Sequence, residues 1–305
     1  MLVGLPHTDV PERLGVSLAI LAAFGFSFKA IFVKLAYASA EVDAVTLLTL
    51  RMLFAFPIFF IIGFSALRGG PRLSRKDWLL LVLLGLAGYY GASILDFMGL
   101  AYITAGLERL ILFTYPTLTI LLGVLFLGKR FDRRLMFALL LCSMGITLAC
   151  VTDFGFSDDE ARVITGVLLI FGSALAYAFY SAFSEVSIKR LGSMRFSVLA
   201  MLVSIFAVQM HFLLVNPLTH LIQPTPVYLY CAAMAVFSTV LPVFFQSAAV
   251  RRIGAPRTVL IGTLGPVLTL FFSWLILAEP LTLMQLAGTV LVIAGVMVVN
   301  PPKRG

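Results

Sequence analysis

Charged side chains are scarce in this sequence. They make up 12% of its 305 residues, whereas hydrophobic residues make up 61%. A soluble domain carries about 25% charged residues, and a chain with half that share cannot cover its surface with polar groups. The composition therefore excludes a water-soluble globular protein and indicates a chain that is solvated by lipid.

Cysteine and histidine are also rare, with three residues of each type. Cys142, Cys150 and Cys231 lie within apolar runs and show no C-x-x-C or Cys/His spacing, so we expect them to be small packing residues. The sequence also lacks H-E-x-x-H, a phosphate-binding glycine loop and G-x-S-x-G. We therefore predict no metal, no cofactor and no catalytic site.

Long apolar runs are what the sequence has in abundance. Runs of about 20 apolar residues are long enough to cross a hydrocarbon core of about 30 Å as helices, and their continuity argues against the alternating pattern of a β-barrel. The first run is too long and too aromatic for a cleaved signal peptide. We predict an all-α integral membrane protein with ten transmembrane helices, called spans 1 to 10, at residues 14–36, 44–66, 78–100, 106–127, 133–151, 163–187, 196–215, 227–249, 257–278 and 282–299.

The Lys and Arg residues predict the orientation of these spans. With ten spans and a cytoplasmic N-terminus, most of the 22 cations fall in loops on one side, and the opposite loops are acidic. Cytoplasmic loops of membrane proteins are enriched in Lys and Arg, so both termini are expected in the cytoplasm. The cations also lie at the ends of spans, which argues against a nucleic-acid partner and makes residues 125–134 (LFLGKRFDRR) a cytoplasmic turn.

The two halves of the chain resemble each other at an offset of 150 residues. Residues 111–131 align without a gap on residues 261–281, and a basic turn in the first copy meets an acidic turn in the second. Five spans is an odd number, so the second half must enter the membrane from the opposite side. We predict two inverted five-helix repeats, 1–152 and 153–305, around a central cavity, which is the geometry of alternating-access transport.

Spans 4 and 9 carry a motif that relates the sequence to a known family. The motif is A-x10-P-x-x-T followed by L, G or A, and K or E. It occurs twice, as Ala105, Pro116, Thr119, Leu127, Gly128 and Lys129, and as Ala255, Pro266, Thr269, Leu277, Ala278 and Glu279. With ten spans in a 5+5 arrangement, the chain resembles the EamA-type exporters of the drug/metabolite transporter superfamily.

One branch of that superfamily is similar in more detail. The stretch GLERLILFTYPTLTILL (106–122) is similar to the corresponding part of YddG-type aromatic amino-acid exporters through Glu108 and the pair Tyr115–Pro116. Span 1 departs from the pattern, because Phe26–Ser27 stands where a Trp–Ser pair is common. The resemblance implies a basket of spans 1–4 and 6–9, with spans 5 and 10 at its periphery.

The resemblance also implies a function. We expect a multi-pass secondary transporter in a bacterial inner membrane that exports amino acids, aromatic and other neutral ones, or related small metabolites. Its partners would be membrane lipid and a small-molecule substrate; no oligomer is defined, and a monomer is compatible with the sequence. An exporter of drugs or other metabolites is the alternative, followed by a lipid-modifying enzyme that uses the acidic loop 158–160, and by a sensor without transport.

Ionisable residues inside the spans are candidates for a gate or for ion coupling, because a charge in lipid is costly. Ion pairs that form a periplasmic gate are favoured over a binding site, with pairs that only fix helix register as the alternative. A carboxylate could carry a proton, although facilitated diffusion needs no titrating group. The candidates are Lys29, Arg51, Asp96, Glu108 and Arg109 toward the periplasm, and Glu185, near Lys189, toward the cytoplasm.

Polar and aromatic residues near the middle of the spans mark the expected cavity. Tyrosine hydroxyls need partners there, and Tyr177 and Tyr180 share one face of span 6. Bonds that merely join helices are the alternative. Pro116 and Pro266 are candidate hinges, or static kinks. The predicted cavity residues are Ser27, Phe28, Tyr89, Tyr90, Ser93, Tyr115, Tyr177, Tyr180, Ser181 and Thr263.

Overall fold

The protein is helical throughout the part that its computed structural model describes, residues 9–68, 73–128, 132–155 and 159–299. Nine helical segments within these ranges are long and apolar enough to cross a membrane. They coincide with predicted spans 1 to 9, and span 10 corresponds to a shorter apolar helix, Leu283–Val298. The prediction of an all-α membrane protein is therefore confirmed.

The spans differ in how continuous they are. Spans 1, 2, 5, 6, 7 and 10 are single helices, whereas spans 3, 4, 8 and 9 each consist of two. In chain order the helices are α1 (Asp9–Ser39), α2 (Ala44–Arg68), α3 (Arg75–Gly85), α4 (Ala92–Gly99), α5 (Ala105–Leu112), α6 (Tyr115–Phe126), α7 (Arg133–Gly155), α8 (Glu160–Leu191), α9 (Ser193–Val215), α10 (Thr225–Ala235), α11 (Leu241–Ile253), α12 (Ala255–Gly262), α13 (Leu264–Leu277) and α14 (Leu283–Val299).

The interruptions follow a regular pattern. A π-helical turn, Leu86–Gly91, joins α3 to α4, and another, Val236–Val240, joins α10 to α11. Spans 4 and 9 are broken shortly before Pro116 and Pro266, because proline lacks an N–H and its ring clashes with the preceding helical turn. Both kinds of interruption therefore recur 150 residues apart.

Contacts between loops define one end of the bundle, here called the acidic end. It contains the loops that follow α1, α4, α7, α9 and α13. The Asn216 amide donates to the Asp43 carboxylate (3.1 Å), and the Thr104 N–H donates to the Asp153 carboxylate (2.9 Å). These bonds place loops from distant parts of the chain on the same side of the bundle.

The opposite end, here called the basic end, contains the start of α1 and the loops that follow α2, α6, α8 and α11. Arg190 donates to the buried carboxylate of Asp77 (3.0 Å), and Arg257 pairs with Glu12. Asp77 also accepts bonds from Ser74 in a capping box that begins α3. Sequence reasoning missed Asp77, although Ser-x-x-Asp before an apolar run is a recognisable helix start.

Spans 5 and 10 pack directly against each other. Gly145 of α7 and Gly288 of α14 lie so close that a Cβ added to either would meet the carbonyl oxygen of the other at 2.6 and 2.5 Å. Small residues permit such an approach of two helix backbones. Both helices also contact span 4, through α5 and α6.

Candidate functional site

Three charged side chains from three spans meet in the half of the bundle nearer the acidic end. The Lys29 ammonium lies 2.7 Å from Asp96 Oδ2 and 3.0 Å from Glu108 Oε1. The Asp96 and Glu108 side chains are only 3% and 0% exposed. We call this group the Lys29 triad; a single ammonium in it holds α1, α4 and α5 together.

The triad leaves some of its bonding capacity unused. Asp96 Oδ1 and Glu108 Oε2 are buried and have no hydrogen-bond partner within the described part of the chain. The Lys29 ammonium is the direct ion-pair partner of both carboxylates, so losing it would leave both without a salt bridge. Removing a partner from a buried ion pair is strongly destabilising.

The other two cations of the predicted gate lie apart from this triad. Arg51 Nε donates to Thr239 Oγ1 (3.1 Å), and its guanidinium lies 5.3 Å from the ring centroid of Phe97. The Arg109 guanidinium lies against Gly265 of α13. Of the three predicted cations, Lys29 contacts both acids directly, whereas the side chains of Arg51 and Arg109 contact neutral groups.

The inner part of the predicted gate falls outside the described residues. This applies to the side chains of Glu185 and Lys189, and to Asp158 of the acidic loop. The neighbouring Asp159 accepts hydrogen bonds from the N–H groups of Ala161 and Arg162 and so caps the start of α8. Its role is that of a helix-capping residue.

Four tyrosines form a continuous row, here called the tyrosine row. Tyr115 of α6 contacts Tyr177 of α8 edge-on at 4.8 Å between ring centroids, and Tyr177 stacks on Tyr180 at 5.7 Å. Tyr180 in turn meets Tyr89, with 4.9 Å between centroids and 3.2 Å between the hydroxyls. Three of the four rings are half-buried. The row joins spans 3, 4 and 6.

Tyr90 does not belong to this row. Its hydroxyl lies 3.0 Å from Nδ1 of His211 in α9. This contact gives His211 a partner and turns Tyr90 toward span 7. Of the two neighbouring tyrosines in span 3, only Tyr89 contacts the tyrosines of span 6.

The predicted cavity residue Ser27 is fully buried and joins two spans. Its hydroxyl donates to the Gly265 carbonyl (3.1 Å), and its own carbonyl accepts a bond from Thr269 (3.3 Å). The equivalent threonine of the first motif copy, Thr119, donates to the Tyr115 carbonyl (2.8 Å) and shares this bond with the Ala178 carbonyl at 3.5 Å. Thus Ser27 and Ala178 accept bonds from the two motif threonines.

The remaining predicted cavity residues have different surroundings. Phe28 stacks on Phe272 at 4.4 Å. The Thr263 hydroxyl donates to the Leu260 carbonyl (2.6 Å). Ser93 and Ser181 are half-buried. These residues therefore do not form one contact network with the tyrosine row.

The last residue of the second motif copy binds the first residue of the first copy. Both carboxylate oxygens of Glu279 lie 3.0 Å from the Ala105 nitrogen, which begins α5. Asp153 accepts bonds from the N–H and the hydroxyl of the preceding Thr104, both at 2.9 Å. Two carboxylates thus satisfy the free backbone donors of this helix start, which the helix dipole also favours. Sequence reasoning missed this interaction.

Both motif copies end their helix in the left-handed region. Gly128, after α6, has φ +64°, and Ala278, after α13, has φ +53°. Glycine adopts this conformation without penalty, whereas an L-residue such as alanine is strained by about 1–2 kcal/mol.

Glu279 should make the protein more stable as the pH falls. Burial raises the pKa of Glu279, with partial compensation by the nearby Lys34 and by its backbone hydrogen bonds. The folded protein then binds a proton more readily than the unfolded chain, so stability increases as the pH falls through the folded-state pKa and levels off below the unfolded one.

The measurement is the thermal unfolding midpoint in detergent across pH, for the wild type and for Glu279→Gln. Burial also raises the pKa of Asp153, but this group is present in both proteins. The unfolding midpoint of the wild type, relative to that of Glu279→Gln, should rise as the pH falls. A shift in the opposite direction would disprove the assignment.

A cavity of about 620 Å³ opens at the basic end beside α1. Its lining includes Glu12, Arg13, Val16 and Ser17. Arg257, the partner of Glu12, belongs to the adjacent α12. The cavity therefore lies at the opposite end of α1 from the Lys29 triad.

The chain with its repeated motif matches a known protein family. The model of the EamA-like transporter family matches residues 13–151 and 164–300. The chain belongs to the EamA-like transporter family. It is a multi-pass membrane transporter, and the alternative of a membrane-embedded enzyme is wrong, because this family and its relatives are transporters.

Individual relatives cover nearly the whole chain. The uncharacterized transporter YcbK of Bacillus subtilis is 29% identical over 287 residues, which is 90% of this chain and 88% of YcbK. The pseudopaline exporter CntI of Pseudomonas aeruginosa is 24% identical and covers 96% of this chain and 98% of its own. One crystal structure superimposes with a TM-score of 0.65 at 17% identity, over 94% of this chain and 96% of that one, and supports the fold alone.

Proposed function

We propose that this EamA-family transporter exports amino acids, aromatic and other neutral ones, or related small metabolites by alternating access. The observation that carries the mechanism is the recurrence of its irregularities 150 residues apart: two π turns, two proline breaks and two left-handed helix ends. The paired bonds of Thr119 and Thr269 follow the same relation. These features support ten crossings in two inverted repeats, 1–152 and 153–305, that can exchange roles.

The charged residues provide the gate in this proposal. The Lys29 triad joins three spans toward the acidic end and would close a route there. In this proposal the basic end is therefore the open one. Because basic loops favour the cytoplasm, we assign the basic end and both termini to the cytoplasm of a bacterial cell, and the acidic end to the periplasm.

The tyrosine row supports amino acids as the substrate class. Half-buried aromatic rings present apolar faces, and their hydroxyls offer hydrogen bonds at the edge. Such a surface suits a small solute with both an apolar side chain and polar groups. The resemblance of Glu108 and the pair Tyr115–Pro116 to YddG-type aromatic amino-acid exporters supports the same substrate class.

Another metabolite is the second candidate for the substrate. It is favoured by the similarity to the pseudopaline exporter, which extends over 96% of the chain. The two candidates share the same transport mechanism. They differ only in which solute occupies the cavity.

Counterflow into proteoliposomes tests the proposal. Liposomes preloaded with one unlabelled solute should accumulate the same labelled solute for at least one neutral or aromatic amino acid in a panel that also contains drugs and nucleotide sugars. Uptake of only a non-amino-acid solute would establish the second candidate. Absence of uptake of every amino acid would refute the proposed substrate class.

Replacing Tyr177 with leucine should reduce this uptake by about two- to tenfold, because an aromatic contact contributes roughly 0.5–1.5 kcal/mol beyond burial. The matched control is Tyr102→Leu, since Tyr102 lies at the acidic end against Arg162. Unfolding midpoints of both variants check that the fold is retained. Equal loss of uptake in the two variants would contradict a role of the tyrosine row in binding.

A further inference from the structure

Arg109 is a cation inside the bundle whose side chain forms no direct ion pair within the described ranges. Its side chain forms no hydrogen bond or ion pair with any described residue, and its Nε is buried and unsatisfied. The adjacent Glu108 binds Lys29 instead, at 3.0 Å. The residue as a whole is half-buried.

The carboxylates on this side of the bundle are already engaged by other groups. Asp96 and Glu108 bind Lys29, whereas Glu279 and Asp153 bind the start of α5 and lie within electrostatic range of Lys34. Arg51 lies within electrostatic range of Asp96, and Arg109 within range of Glu108. An uncompensated charge at membrane depth is costly, and an anionic group on a bound solute would compensate it.

We propose that Arg109 binds the carboxylate of the transported substrate. The proposal rests on the proposed function and adds that the substrate must carry a carboxylate. A planar guanidinium with several N–H donors matches a carboxylate in a two-bond arrangement, which an ammonium cannot reproduce. The Lys29 triad then closes the route to the acidic end, while Arg109 holds the solute.

The Arg109 guanidinium packs against Gly265. An added Cβ at Gly265 would lie 2.7 Å from Arg109 Nη2 and 3.4 Å from Nε, so the guanidinium rests on the bare backbone of α13. Ser27 fixes that backbone by donating to the Gly265 carbonyl (3.1 Å). Arg109 is thereby held between spans 1, 4 and 9.

The neighbouring surface suits the rest of such a substrate. Arg109, Leu112 and Tyr115 follow one another at intervals of three along span 4 and are all half-buried. Span 4 is broken between Leu112 and Tyr115, and Arg109 nevertheless lies within electrostatic range of Tyr115. Because Tyr115 contacts Tyr177, this strip leads directly from the cation to the tyrosine row, which would receive an apolar side chain.

The test measures binding of matched acids and amides to the purified full chain by titration calorimetry. The pairs are 3-phenylpropionate and its amide, L-phenylalanine and its amide, and L-leucine and its amide. At least one acid should bind the wild type about 10- to 100-fold more tightly than its amide, as expected for a charge-assisted hydrogen bond. Arg109→Met should remove that preference, and Gly265→Ala should weaken it by displacing the guanidinium.

The matched control is Arg162→Met, which removes an exposed arginine at the acidic end and should keep the preference for acids. If no acid binds the wild type more tightly than its amide, or if Arg109→Met retains the preference, the proposal is wrong. Amino-acid counterflow separates this result from the function. Flux that persists unchanged in Arg109→Met would refute the carboxylate site alone, whereas Arg109-dependent binding of acids without amino-acid flux would refute the proposed export alone.

Discussion

Replacing Lys29 with methionine should destabilise the protein by about 3–5 kcal/mol and abolish transport. The substitution preserves most of the side-chain volume but leaves the buried carboxylates of Asp96 and Glu108 facing each other without a cation. Breaking a buried ion pair from one side has a cost of that size. Thermal unfolding in detergent and counterflow in liposomes measure the two effects.

Two further variants show whether the loss comes from unpaired charge. The triple variant Lys29→Met/Asp96→Asn/Glu108→Gln removes all three charges, and it should recover most of the stability, because neutral replacement of a whole buried ionic group is often tolerated. Lys76→Met, at an exposed position of α3, should unfold like the wild type. If Lys29→Met unfolds at the same temperature as Lys76→Met, the triad does not hold the spans together.

Replacing Gly88 with alanine should have the second largest effect, a loss of about 1–3 kcal/mol together with most of the flux. An added Cβ would lie 2.2 Å from Tyr180 Cβ and 2.3 Å from Cγ. These atoms are close to the backbone of α8 and cannot swing aside, so span 3 and span 6 would have to separate. Overpacking of a dense interface has a cost in this range, and the separation would pull Tyr89 away from Tyr180.

Gly262→Ala is the matched control for this prediction. Gly262 ends α12, and nothing lies within 4 Å of a Cβ added there. Its midpoint and flux should therefore stay close to those of the wild type. Equal behaviour of the two alanine variants would show that the contact between Gly88 and Tyr180 is not required.

The spans and the two ends of the bundle could be predicted from the sequence because both follow from simple patterns. Long apolar runs mark helices, and the structure extends three of the ten spans by a few residues at both ends, as in α8 (Glu160–Leu191). The extra turns are polar and lie where helices leave the apolar region. Asp77 and Asp159 are polar residues at such helix starts, where they take part in capping. Hydropathy alone does not assign residues of this kind to a helix.

The partners inside the bundle could not be predicted in the same way. Four cations and two acids in spans 1 to 4 allow several pairings, and distances between helices decide among them. The choice between Tyr89 and Tyr90 depends on the π turn Leu86–Gly91, since one wide turn rotates the following residues away from the positions of a regular helix. The bond of Glu279 to Ala105 joins residues 174 positions apart in the chain, and no local pattern indicates it.

The proposed alternating access is tested most directly by the side from which the proposed central cavity can be reached. Ser181, half-buried on α8 and next to Tyr180 in the chain, is replaced by cysteine in a protein whose Cys142, Cys150 and Cys231 are alanine. The probe is a membrane-impermeant maleimide, applied to right-side-out and inside-out vesicles. We predict labelling from the cytoplasmic, basic side alone when the Lys29 triad is intact, and from the periplasmic, acidic side in the neutral triple variant. Labelling from both sides in one protein, or from the same side in both, would contradict the account.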